Sequence, residues 1–311
     1  MIKKGLITIG CFLALGIFTT ECAAQAKKLK TIVVDAGHGG SDSGAEGNFE
    51  NSLFSKEKDI TLAISLKLVD ALKKQFTDLN IVPTRTEDVF DNVREKARIA
   101  NEAKGDLFIC IHADAVDNKR GRRQIGTKMV TRYKVRYEKK GRKKIKITES
   151  YEEEVPVFET YLMSSTARGT SVYIFNPTKI GDRLKAVKND EYDDVQFDVE
   201  DSTTKAVDYT SPAGRILANA YIKLYQAKSD LLASLVIDEV AKTGHIVKGV
   251  LQRGVGIWVL SATKMPSILV ETGYISNEED EKYLNSEVGQ NEIVQSIVKA
   301  VVKYRLQIEA K

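Results

Sequence analysis

Six short apolar runs, each bounded by turn-forming residues, constrain this chain more than any other feature. They cover residues 31–35, 81–84, 107–111, 171–175, 256–260 and 267–270. Each has the length of a strand buried on both faces. Between them, apolar residues recur at helical spacing. Ile60, Ala63, Ile64, Leu68 and Leu72 mark a first helix, residues 93–103 a second, about 213–241 a long third and about 292–306 a last. Strands alternating with helices predict an α/β fold whose central sheet is covered on both faces. The 311 residues are 42% hydrophobic and 29% charged, which supplies a sizeable core and excludes whole-chain disorder or a multi-span membrane protein. A formal net charge of +4 is too mild to imply a nucleic-acid partner without a clustered patch.

The first 26 residues read as a secretory signal peptide. Lys3 and Lys4 precede an apolar run at 6–18, and Ala24-Gln25-Ala26 forms an A-x-A cleavage site. The expected mature unit is 27–311, with no stable membrane span. Two other readings of the leader stay open: an uncleaved anchor, and lipidation of Cys22, for which Glu21 is a poor preceding residue. Cys110 is then the only cysteine of the mature chain, so no intrachain disulfide can form. Its apolar surroundings predict a buried structural thiol.

Two stretches break the strand–helix rhythm. Residues 119–149 hold 14 Lys/Arg against Glu138 and Glu149. Within them, 129–137 and 145–151 alternate apolar and charged residues around the turn Lys139-Lys140-Gly141-Arg142, which predicts a basic β-hairpin. It is either a solvated ribbon or a contact for an anionic polymer or acidic partner. Residues 190–201 carry seven acids and no Lys/Arg, either a mobile loop or a cover for a cationic site.

Only three histidines occur. His38 follows the first strand in Asp35-Ala36-Gly37-His38-Gly39-Gly40, and His112 closes the third in Ile111-His112-Ala113-Asp114. Both fall at the carboxyl end of a buried strand, the edge where open α/β sheets bind ligands. Glu271 falls at the same edge if its strand runs parallel to the others. Glu57 opens the helix after the first strand, where the helix dipole alone would explain an acid. Two His with one or two Glu from separate segments form a metal-site constellation, and His₂Glu with an open position is a catalytic zinc set. The plainer explanation is that each His hydrogen-bonds within its own loop. His245 is expected as a surface residue or a cation at a helix C-terminus. Asp35 is read as a turn-stabilising acid or as a group orienting a ligand.

Read in order, the motif at 35–40, Glu57-Lys58-Asp59, Arg85-Thr86-Glu87-Asp88, Arg98-Ile99-Ala100-Asn101, the motif at 111–114 and Val270-Glu271-Thr272-Gly273-Tyr274-Ile275-Ser276-Asn277 resemble the zinc-dependent N-acetylmuramoyl-L-alanine amidases of the Amidase_3 family. The resemblance implies a twisted, mostly parallel sheet of about six strands between helix layers. It implies His38, Glu57 and His112 as ligands of Zn²⁺ and Glu271 as the catalytic acid/base. The implied activity is hydrolysis, by zinc-activated water, of the amide joining N-acetylmuramic acid to L-alanine in peptidoglycan. The basic hairpin (about 118–165) and the acidic stretch (about 177–212) would be inserts. In position the latter resembles the segment that covers the zinc of cell-division amidases until an activator protein removes it. An exported, periplasmic location follows from the leader and the resemblance. Two rivals remain: a zinc peptidase or deacylase acting on another wall amide, and a catalytically silent wall-binding scaffold.

Overall fold

The computed structural model describes residues 28–176, 212–252 and 257–310. The expected leader and the acidic stretch at 190–201 lie outside these residues. The strands are β1 (Thr31–Ala36), β2 (Asn80–Pro83), β3 (Leu107–Asp114), β4 (Arg120–Lys140), β5 (Lys143–Leu162), β6 (Thr170–Ile174), β7 (Val247–Leu251) and β8 (Ser267–Tyr274). The helices are α1 (Glu57–Gln75), α2 (Val93–Glu102), α3 (Pro212–Ala241), α4 (Trp258–Ala262), α5 (Glu278–Asn285) and α6 (Glu287–Glu309). Among the described residues, no helix is long and apolar enough to cross a membrane.

Six strands form one sheet in the order β2-β1-β3-β8-β6-β7. β2, β1, β3 and β8 pair in parallel, β6 runs antiparallel to β8, and β7 is parallel to β6. Parallel return would need a crossover on the face of the sheet. After β3 the chain instead makes the β4–β5 ribbon, whose two ends meet where Met163 N–H donates to Lys119 O. The chain therefore re-enters the sheet from the edge at which β3 left it, and β6 runs backwards.

Alternation within the strands sorts the core into two layers. Ile32, Val34, Ile109 and Ile111 face a cluster with Ile64 and Leu68 of α1, Leu232 and Val236 of α3, and Ile297 and Val301 of α6. Val33, Phe108, Cys110 and Leu269 face Ala100 of α2 and Val259 and Leu260 of α4. β1 and β8 are buried along their whole length, as strands covered on both sides must be.

One expectation is corrected. The described part of the expected strand at 256–260 is not a strand: Trp258–Ala262 is the short helix α4. The sixth strand of the sheet is β7, at 247–251. The hairpin pairs from Arg120↔Leu162 to Lys140↔Lys143, with a register shift between Gln124 and Gly126.

Candidate metal centre

The carboxyl ends of β1 and β3 bring the first two candidate residues together. His38 lies two residues past β1 with φ +57°, a left-handed conformation that costs a non-glycine residue about 1–2 kcal/mol. Surrounding bonds hold the turn. The Gly37 carbonyl accepts from Thr61 Oγ1 at 2.7 Å and from Arg85 Nη2 at 3.0 Å. Arg85 also donates to the carbonyls of Ala36 and Lys58. Glycine at 39 and 40 supplies the positive φ values of +138° and +56° that complete the turn.

Glu57, the first residue of α1, is 4% exposed and presents one oxygen to each ring. Its Oε2 lies 3.1 Å from His38 Nε2, and its Oε1 lies 2.8 Å from His112 Nδ1. Backbone N–H groups of Ala45 and Ala113 donate to the same two oxygens at 2.8 and 3.0 Å. The two imidazoles meet edge-on, with centroids 4.9 Å apart. Asp42 Oδ2 stands 2.9 Å from the other nitrogen of His38 and fixes the ring from behind. Burial alone would lower the His38 pKa. Hydrogen bonds and charge from Glu57 and Asp42 outweigh it and raise the imidazole to about 9. Burial favours the neutral form of Glu57, yet hydrogen bonds and charge from His112 and His38 hold it well below the ordinary carboxylate range.

One ligand atom from each of His38, Glu57 and His112 lies within 4.8 Å of the others. Two ligands bonded at about 2.1 Å to one ion span at most about 4 Å, so the three donors stand close to coordinating distance. Imidazole nitrogen and carboxylate oxygen suit a divalent transition metal. The cradle is tight. A Cβ on Gly37 would stand 2.6 Å from His112 Nε2, and one on Gly44 would stand 2.6 Å from Glu57 Oε2.

Glu271 lies outside this three-residue cluster, beside it. It is 4% exposed and pairs in parallel register with His112 on the neighbouring strand. Because the two strands are parallel and in register, their side chains emerge on the same face, on the layer of Cys110 and Leu269.

Asp35 and His245 take other roles than expected. Asp35 neither caps the turn nor touches a ligand. It is buried in an ion pair with Lys96 at 3.0 Å and accepts from Thr84 Oγ1 at 2.6 Å and Cys110 Sγ at 2.9 Å. Burial raises its pKa, but the Lys96 charge and these hydrogen bonds lower it further. Cys110 is buried as expected, and burial together with the Asp35 charge pushes its thiol well above the ordinary value. His245 is half-buried and stacked on Tyr283 with ring centroids 4.4 Å apart, and burial lowers its pKa. The residue that sequence reasoning missed is Asp42. Its signal was slight, an acid four positions after His38 in a glycine-rich loop.

Fold and site together define an α/β protein with a His-Glu-His candidate metal centre at the carboxyl edge of its sheet. The model of the N-acetylmuramoyl-L-alanine amidase family, Amidase_3, matches residues 32–303, and the chain belongs to that family. It is 27% identical over 277 residues to the N-acetylmuramoyl-L-alanine amidase AmiC of Escherichia coli O6:H1, covering 88% of this chain and 52% of the relative. It is 28% identical over 280 residues to AmiC of Neisseria meningitidis serogroup B, with the same two coverages, 88% and 52%. The chain thus spans about half the length of these curated relatives. The crystal structure of an N-acetylmuramoyl-L-alanine amidase from Clostridium difficile 630 shares the fold, with TM-score 0.54 and 21% identity over 89% of this chain and 97% of that one.

Proposed function

We propose that this chain is an exported, zinc-dependent hydrolase that cleaves the amide between N-acetylmuramic acid and the L-alanine of the peptidoglycan stem peptide. The observation that carries the reading is the convergence of His38, Glu57 and His112 from three separate segments, with Glu271 in register beside His112. Family membership names the substrate class.

His38, Glu57 and His112 would hold the ion, and three protein ligands of this kind are the set typical of catalytic rather than structural zinc. A zinc ion bound there supplies Lewis acidity to the scissile carbonyl and lowers the pKa of the attacking water from 15.7 to about 7. Two neutral rings and one carboxylate leave the loaded centre net positive. Glu271 takes a proton from the water and returns it to the leaving alanine nitrogen. Its position on a fully buried strand, in register with His112, supports this role, because a strand holds a side chain with less freedom than a loop does. Asp42 holds the His38 ring so that its other nitrogen faces Glu57.

Substitution separates the roles. Glu271→Ala should keep stoichiometric zinc and lose nearly all hydrolysis, whereas His38→Ala should lose both. Metal analysis, with mass spectrometry of digested sacculi, reads the outcome. New L-alanine amino ends identify the bond, and any other new amino end would move the cleavage elsewhere in the wall. A Glu271→Ala protein that solubilised sacculi at the normal rate would remove Glu271 from the mechanism.

A further inference from the structure

The β4–β5 ribbon is the largest feature that the proposed chemistry leaves unused. Each arm runs about 20 residues. At ~3.4 Å per residue, such an arm reaches roughly 65 Å. Its root sits among the loops of the candidate site. Glu50 N–H donates to Leu162 O, and Asn118 Nδ2 donates to the carbonyls of Ser276 and Met163.

Charge divides along the ribbon. From the root to just past the middle, cations meet acids across the strands: Arg123 with Glu159 at 2.9 Å and Arg132 with Glu153 at 2.9 Å. The far half differs. Residues 134–148 contain eight Lys/Arg and one acid, Glu138. Among the described residues, Arg136 is the only cation of this half with ion-pair partners, Glu138 at 3.1 Å and Glu149 at 2.7 Å. Lys139, Lys140, Arg142, Lys143 and Lys144 crowd the turn, and the acids nearest them, Glu138 and Glu149, are engaged by Arg136.

Alternation also gives the far half an aromatic face. Tyr133, Val135 and Tyr137 share one side, 69%, 44% and 66% exposed, opposite Ser150, Thr148 and Lys146. A ribbon that needed only solubility would not present two tyrosines this openly. Tyrosine gives a large, rigid, amphipathic contact at low entropic cost. Flat hydroxylated rings flanked by cations suit a sugar chain bearing carboxylates.

We propose that the distal half of the ribbon is a binding arm for the polymeric substrate, a peptidoglycan strand whose stem peptides carry carboxylates. This rests on the wall-hydrolase reading of the site. Length favours a polymer over a small ligand, since a strand lying along the arm reaches the loops around His112. The net positive tip recruits and holds the polyanion, and the tyrosines seat its sugars.

The test compares the full mature chain with two variants. One carries Lys139→Gln, Lys140→Gln, Arg142→Gln, Lys143→Gln and Lys144→Gln; the other carries Tyr133→Ala and Tyr137→Ala. Co-sedimentation with purified sacculi should weaken about tenfold in the charge variant, and wild-type binding should fall steeply with added salt. The aromatic variant should also bind more weakly, and its loss should be insensitive to salt. Both variants should cleave a short soluble N-acetylmuramoyl-L-alanyl peptide like wild type, which also reports that they fold. Undiminished sedimentation of both variants would overturn the arm. So would wild-type binding to vesicles of anionic phospholipid with none to sacculi, which would make the ribbon a membrane contact. Ribbon-dependent binding to sacculi by a wild type that cleaves neither substrate would support the arm and remove the hydrolase reading.

Discussion

A methyl group added at Gly37 would meet the His112 ring at 2.6 Å, closer than real Cβ atoms approach any heavy atom. Gly37→Ala must therefore push the ring or the turn aside while leaving the apolar core untouched. Metal affinity should fall about 10–100-fold, the range for disturbed supports of metal ligands. Calorimetric titration with zinc checks this, and unchanged affinity would show that the turn absorbs the methyl. Asp35 makes a different prediction because its work is structural. Asp35→Asn leaves the buried Lys96 ammonium without its counter-charge. Breaking a buried pair from one side costs about 3–5 kcal/mol at neutral pH. The Asp35 pKa is lower folded than unfolded, so the stability it contributes is present above the unfolded value of about 4 and is lost as pH falls through the folded value. The gap between wild type and variant in urea unfolding should be widest near pH 7 and shrink below pH ~4. A gap constant over that range would mean that Asp35 acts through shape alone.

Among the elements, α5 has a role that its sequence hides. Its Glu281 is buried and accepts from Ser52 Oγ at 2.9 Å, Leu53 N–H at 3.0 Å, and Ser55 through N–H at 3.2 Å and Oγ at 3.0 Å. This one carboxylate fixes the loop that delivers Glu57 to the two rings. Glu281→Ala should cost on the order of 3 kcal/mol, because hydrogen bonds to a charged group are worth about 1.5–3 each and several donors are left unmet. It should also weaken zinc binding although it touches no ligand. Thermal unfolding with and without zinc reads both effects. Such a link could not be read beforehand, since Glu281 sits in an acidic run that looks like a solvated helix start. The same limit explains the misplaced strand. Residues 257–260 are apolar over too short a stretch for periodicity to separate a strand from a buried helical turn. β7 went unseen because Lys248 and Gly249 interrupt its apolar pattern, and Gly249 has φ +99° where the register shifts. His38 and His112 were legible because a polar ring directly after a buried apolar run marks the ligand edge of the sheet. Glu57 was ambiguous alone, since a helix dipole explains an acid at that position equally well.

In the whole molecule, the candidate centre is where distant parts of the chain are held to one another. His38 follows β1, Glu57 starts α1 and His112 ends β3, and β8 brings Glu271 alongside from the far end of the sequence. An ion bound by the first three would tie α1 to the middle of the sheet. A ligand that binds only the folded state adds about 2.7 kcal/mol of stability at a hundredfold excess over its Kd. At about 2.1 cal/mol/K of unfolding entropy per residue, a chain of this length would gain roughly 4–5 °C in the unfolding midpoint. Removing metal with a chelator should lower the midpoint by that amount, and stoichiometric zinc should restore it. His38→Ala should start from the lower midpoint and respond to neither treatment. A midpoint in wild type that ignores both chelator and zinc would mean that the three side chains hold only one another, through the Glu57 hydrogen bonds, and that the convergence is structural.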